Sequence, residues 1–224
     1  MRPEPRQSDR FQVVEAFLSL QGESTHAGKL CYFIRLAGCN LRCSYCDTAY
    51  AQSAAAGAPR RLAELLDQVR QSGAPLVEIT GGEPLEHPNL PLLCQALLTA
   101  GLEVLLETNG SRSIAAVPAA VRKIVDCKLP SSGMSAANCF DNFRHLQPHD
   151  EVKFVIGDRT DYQYARRVID EYHLTDSTSH LLFSPVWGSV EPAELAGWII
   201  EDKLPVRLQI QLHKLIWGPD KTGV

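Results

Sequence analysis

The sequence predicts an α/β chain built as an incomplete (β/α) barrel of the TIM-like kind, with six to seven parallel strands and its active site at their C-terminal rim. Two observations lead there. Apolar segments of strand period alternate with segments of helical period along most of the 224 residues, and the unusual polar segments fall just after strands.

The elements follow in order. After a polar start, 13–20 reads as a strand or extended segment ending in Gln21-Gly22-Glu23, and 32–37 as the first parallel strand. Residues 51–59, rich in Ala, Gly and Ser, read as a flexible connection. Leu62, Leu65, Leu66 and Val69 recur at i, i+3, i+4 and i+7, so a helix buries that face. Residues 75–79 form the next strand, 89–100 a helix closed by Gly101 as a left-handed cap, and 102–106 a strand. Further strands are expected at 123–126, 152–156, 180–183 and 206–212, with helices at 161–172 and 192–201. The segment 129–141, rich in Pro, Ser, Gly and Asn, reads as a long loop. Helix follows strand in an alternation that resumes at least six times, which implies parallel strands joined by helical crossovers.

Periodicity alone leaves a doubly wound sheet and an incomplete barrel both open. The polar segments favour the barrel. Cys39 to Asp47, Thr80-Gly81-Gly82-Glu83-Pro84 and Glu107-Thr108-Asn109-Gly110 follow the first three parallel strands. Asp126-Cys127-Lys128, Ser184-Pro185-Val186 and His213-Lys214 follow later ones. Six polar segments then gather on the rim that carries the active site in such barrels.

Composition narrows the function classes. With 45% hydrophobic and 21% charged residues, one domain over 1–224 with a sizeable core is expected. A formal net charge of −4 without long like-charge runs argues against nucleic-acid binding. Apolar runs fall far short of the roughly 20 residues that span a bilayer, and Met1 to Arg10 is charged and proline-rich, so neither a membrane span nor a signal peptide is expected. Seven cysteines, an odd number with three of them crowded together, make a poor disulfide framework and point to a reducing cytoplasm.

Those three carry the strongest chemical signal. Cys39-Asn40-Leu41-Arg42-Cys43-Ser44-Tyr45-Cys46 has the spacing C-x3-C-x2-C, which lets one loop present three thiolates to one metal centre. Structural zinc closes its tetrahedron with four protein ligands, whereas a cubane cluster held by three cysteines leaves one iron open to another ligand. Buried cysteines, or zinc with Cys31 as fourth ligand, stay open as alternatives. Cys31, Cys94, Cys127 and Cys139 read as small core residues.

This motif, with an aromatic residue before its last cysteine and Gly81-Gly82-Glu83-Pro84 downstream, resembles that of radical S-adenosylmethionine enzymes. Within them, Ser19-Leu20-Gln21-Gly22-Glu23, the run from Phe33 to Cys43, Cys46-Asp47-Thr48, Asp126 to Ser131 and Gln211 to Trp217 resemble the 7-carboxy-7-deazaguanine synthases of 7-deazapurine (queuosine) biosynthesis, and the resemblance spans nearly the whole chain. It implies a carbon–nitrogen lyase, usually a homodimer, that converts 6-carboxy-5,6,7,8-tetrahydropterin into 7-carboxy-7-deazaguanine and ammonia. The implied cofactors are a [4Fe–4S] cluster, S-adenosylmethionine and Mg2+, with an external electron donor such as flavodoxin or ferredoxin. It assigns Cys39, Cys43 and Cys46 to the cluster, and Tyr45, Cys46, Asp47, Gly82, Lys128 and Ser131 to S-adenosylmethionine. Leu20, Gln21, Gly22, Arg35 and Thr80 fall to the pterin, and Thr48 to magnesium. No catalytic side chain is implied, because cluster and cofactor carry the radical chemistry. The chain departs from the family at Ser24, where Gly is common, at Tyr45, where Trp is common, and in continuing past Trp217. A glycyl-radical activase acting on a partner protein and a zinc-stapled interaction module are the rival classes.

Overall fold

Among the described residues nine strands form one open sheet; numbered in chain order, they lie side by side as third, first, second and then fourth to ninth. The structure is a computed structural model that describes residues 9–224; the predicted charged start lies outside the described residues except for Asp9 and Arg10. β1 (Arg10–Leu20) runs antiparallel to β2 (Leu30–Leu36) and to β3 (Ala58–Arg61). From β2 onward every pairing is parallel, through β4 (Leu76–Gly81), β5 (Glu103–Thr108), β6 (Arg122–Asp126), β7 (Glu151–Ile156), β8 (Leu181–Pro185) and β9 (Arg207–Leu208). The parallel strands therefore number seven, the upper end of the expectation.

Strand period two sorts the side chains into two faces. Ile34, Leu36, Val77, Ile79, Val104 and Leu106 face outward and pack with α1 (Leu62–Ser72) and α2 (Leu90–Thr99). Further along, Val152, Phe154, Leu181 and Phe183 pack with α3 (Arg159–Glu171), α4 (Leu174–Ser177) and α5 (Pro192–Asp202). The other face lines the barrel interior. Cys31, Phe33, Leu76, Leu105 and Ile124 form an apolar floor with Phe17, whose ring stacks on Phe33 at 5.2 Å. One residue layer above the floor the lining turns polar, and that change places the site at the strands' C-terminal ends.

Three expectations need correction. Residues 51–59 are not a flexible connection: they wind a 3-10 turn at Ala54–Ala56 and then add β3 to the open edge of β1. Gly57 permits this, since a Cβ there would stand 2.7 Å from that of Ala37. The strand expected at 206–212 shrinks to Arg207–Leu208, and Leu212–Trp217 becomes α6, tied back by the Leu212 N–H to the Gly22 carbonyl at 2.9 Å. Helix does not follow every strand either. Among the described residues the β6–β7 connection holds only 3-10 turns, at Pro130–Ser132, Ser135–Ala137 and Phe140–His145. The last of these supplies Phe140 and Phe143, which pack on Tyr172 with ring centroids 4.8 and 5.3 Å away and so cover the core as a crossover helix would.

Candidate active site

A cavity of about 680 Å³ opens at the C-terminal ends of the parallel strands, and residues from all six polar segments line it. The cysteine loop enters directly from β2. Gly82 lets the segment after β4 press onto that loop: its N–H donates to the Leu36 carbonyl at 2.9 Å, and a Cβ on it would meet the Gly38 carbonyl oxygen at 2.2 Å. Cys39, Cys43 and Cys46 all line the cavity and are half-buried free thiols. Cys39 Sγ accepts from the Leu41 N–H at 3.4 Å and from Asn109 Nδ2 at 3.7 Å. Burial pushes the Cys43 thiol up, and the neighbouring Asp126, Cys46 and Cys39 add to this against the opposing charge of Lys128. Cys31 lies at the other end of β2, in register with Leu76 on the floor, about 16 Å down the strand from the rim at ~3.3 Å per residue. A zinc site with Cys31 as fourth ligand therefore does not form.

Beside the cysteines stands a charged cluster. Lys128 Nζ donates to Asp126 Oδ2 at 2.7 Å. Burial alone would lower the lysine, but Asp126 and the Cys43 and Tyr45 groups outweigh it and hold it protonated. The other Asp126 oxygen, Oδ1, is buried with no hydrogen-bond partner among the described residues. Asp47 pairs with Lys214 at 3.0 Å, and that lysine overcomes the burial that would raise the carboxyl. Tyr45 donates its hydroxyl to the Val155 carbonyl at 3.3 Å. Thr48 Oγ1 stands 3.8 Å from Cys46 Sγ.

Deeper in, Gln21 Nε2 donates to Glu78, while Glu23 accepts from Lys153 Nζ at 3.1 Å and from Gln211 Nε2 at 2.7 Å. Lys153 also donates to Glu107, whose other oxygen accepts from the Thr80 hydroxyl at 3.2 Å. Burial, reinforced by Glu107, pushes the Glu78 carboxyl up to about 8, which favours its neutral form. Arg35 lines the same space from β2, and Leu20 and Gly22 border it. Gly22 is needed for close approach, since a Cβ would come within 2.5 Å of the His213 ring. Ser131 alone of the expected site residues stands outside the cavity lining. Its N–H and hydroxyl both donate to Asp161 of α3, and its carbonyl accepts from Ser44 at 2.6 Å, which braces the cysteine loop.

Comparison with known proteins turns this geometry into a family. The sequence model of the radical SAM superfamily matches residues 33–182. The 7-carboxy-7-deazaguanine synthase of Koribacter versatilis is 43% identical, covering 96% of this chain and 100% of the relative. The chain belongs to the 7-carboxy-7-deazaguanine synthase family. The Chlorobaculum tepidum synthase is 42% identical over 96% of this chain and 97% of its own. The crystal structure of QueE from Escherichia coli shares the fold, with a TM-score of 0.69 at 23% identity over 91% of this chain and 95% of the other.

Members of this superfamily hold a [4Fe–4S] cluster and S-adenosylmethionine, and the synthase site fits both. Three thiols from one loop line the cavity, one of them already accepting N–H donors of the kind that tune cluster sulfurs. Asp126 Oδ1, buried with no partner among the described residues, is an acceptor that a ligand's N–H or O–H donor would satisfy. The departures are accommodated. Ser24 adopts φ +64°, a left-handed conformation that favours the family's Gly, and the Tyr45 hydroxyl finds the Val155 carbonyl. The interior carboxylates Glu78 and Glu107, and Lys153, which donates to Glu107 and Glu23, escaped the sequence reading of the site. Glu107 opens one of the six polar segments, but only the barrel register shows that it and Lys153 point inward.

Proposed function

We propose that this enzyme converts 6-carboxy-5,6,7,8-tetrahydropterin into 7-carboxy-7-deazaguanine and ammonia. The atoms balance with ammonia as the only co-product, so no net oxidant is required. The observation that carries the reading is that the three-cysteine loop and the polar barrel interior open onto one cavity, so a small polar ligand can lie within reach of a cofactor on the cluster. Such an interior does not suit a protein surface, the substrate of a glycyl-radical activase.

Bound together, cluster and S-adenosylmethionine would supply one-electron chemistry able to remove a hydrogen from C6 of the pterin. The chain's own residues position and shield. Cys39, Cys43 and Cys46 would hold the cluster; Tyr45, Asp47, Gly82 and Lys128 would orient S-adenosylmethionine. Gln21, with Leu20 and Gly22, reads the pterin edge from the floor side, backed by Glu78. Arg35 and Thr80 face the substrate carboxylate. The Thr48 hydroxyl is a hard oxygen donor suited to Mg2+, which would clamp that carboxylate. One domain over 1–224 acting as a homodimer and reduced by a flavodoxin or ferredoxin completes the reading. The test is anaerobic incubation of reduced protein with S-adenosylmethionine and the carboxytetrahydropterin. The proposal expects 7-carboxy-7-deazaguanine and ammonia in equal amounts, and cofactor cleavage without that product would contradict it.

A further inference from the structure

Arg35 is the cation we place against the substrate carboxylate, yet its own support comes from outside the cavity. Its Nε donates to Glu15 Oε1 at 2.7 Å, and the same oxygen accepts from the Tyr50 hydroxyl at 2.8 Å. Tyr50 lines the cavity, and its ring lies 6.0 Å from the guanidinium carbon; Glu15 does not line it. Glu15 therefore stands behind Arg35.

How Glu15 reaches that place is unusual. In the β1–β2 ladder Val13 pairs with Leu36 and Glu15 with Arg35, so Val14 is an extra residue, a bulge. Without it, Glu15 would stand opposite Ile34, a fully buried residue of the helix-facing core, and the carboxylate would be on the wrong face of the sheet. Bulges recur next to active sites because they re-aim a side chain. With Nε occupied by Glu15, Nη1 and Nη2 make no hydrogen bond among the described residues, which leaves the end of the fork for a ligand.

We propose that Glu15, turned inward by the bulge at Val14 and shared with Tyr50, is a positioning residue that presents the Nη1/Nη2 end of Arg35 to the substrate's carboxylate. A guanidinium binds a carboxylate through two parallel N–H donors only if its plane is fixed, and a lone Arg on a strand would lose rotamer freedom to achieve it. Glu15 supplies that restraint before the substrate arrives. This rests on the pterin reading above.

The experiment is a double-mutant cycle on steady-state turnover, with S-adenosylmethionine affinity measured separately and each variant checked by thermal melt. Glu15→Ala should raise KM for the carboxytetrahydropterin by about tenfold while leaving cofactor affinity within about twofold, as expected for loss of a charge-assisted bond that touches only Arg35. Combined with Arg35→Ala it should add nothing beyond Arg35→Ala alone, because a positioning residue has no effect once its target is gone. Tyr50→Phe should raise the same KM by a smaller factor. Unchanged KM in Glu15→Ala, or fully additive losses in the double variant, overturns the inference. Should Glu15→Ala not fold, Glu15→Gln decides: a raised KM for the pterin supports the inference and an unchanged one overturns it. A protein that turns over no carboxytetrahydropterin at all would instead contradict the pterin reading, and normal pterin affinity in Arg35→Ala would contradict the Arg35 assignment alone.

Discussion

Replacing Arg35 by Ala removes the paired donors that a planar carboxylate needs while leaving the cysteine loop and Lys128 untouched. Arg35→Ala should therefore weaken pterin binding by at least about tenfold, yet leave S-adenosylmethionine binding and its uncoupled cleavage intact, as calorimetry with each ligand would show. Thr48 asks a different question. Thr48→Val keeps the branched shape and deletes only the oxygen, so turnover should fall and no longer rise with added magnesium; curves parallel to the wild type would mean that Thr48 serves the fold. That the threonine makes no side-chain cap bond to the 3-10 turn it precedes favours the metal role. Glu78 gives a pH signature. Its carboxyl, ordinarily at 4.5, is pushed up to about 8 by burial and by Glu107, so the folded protein keeps a proton that the unfolded chain releases. The stability linked to that proton is fully present below about 4.5 and is lost as pH rises to about 8. Melting temperature should fall over that window, and Glu78→Gln, neutral throughout, should flatten the fall. Parallel profiles would show that Glu78 is ionised in the native protein.

The segments after β4 and β5 are coupled by one buried side chain. Glu83, 0% exposed, accepts from the Asn109 N–H at 2.7 Å, the Thr108 hydroxyl at 2.8 Å and the Leu85 N–H at 2.9 Å. Burial raises its carboxyl to about 7 against the pull of these donors. Glu83→Ala would leave buried donors unpaired, so it should cost about 3 kcal/mol in denaturant unfolding and loosen Asn109 from Cys39; a loss below about 1 kcal/mol would show that water replaces the bonds. Much at this scale was legible in the sequence. The spacing of Leu62, Leu65, Leu66 and Val69 marked α1, and Gly101 marked the end of α2, because both signals are local. β3 was not legible, since Ala58–Arg61 are all exposed and become a strand only by pairing with β1. The bulge at Val14 is likewise a property of two strands. Ser131 carries a motif match, but Asp161, 30 residues away, takes its hydroxyl.

Across the whole molecule, six segments scattered over the chain reach one cavity because parallel strands deliver all their C-terminal ends to the same side. The sequence placed those segments by their order after strands, which is why the site was largely visible before the fold. The inward aim of Glu78, Glu107 and Lys153 was not, because which face of a strand lines the interior is settled only when the sheet curls. The cysteine loop makes a prediction about the assembled protein: reconstituted under anaerobic conditions it should carry about four irons per chain, and Ala at Cys39, Cys43 or Cys46 should abolish them, whereas a full complement of zinc without iron would refute the cluster. The central claim is that the radical drawn from S-adenosylmethionine acts on the pterin in this cavity. Its most direct test supplies the reduced enzyme with carboxytetrahydropterin deuterated at C6 and follows the label by mass spectrometry. If the adenosyl group takes the C6 hydrogen, 7-carboxy-7-deazaguanine forms while deuterium enters that group; product formed with no label in the cofactor would rule this transfer out.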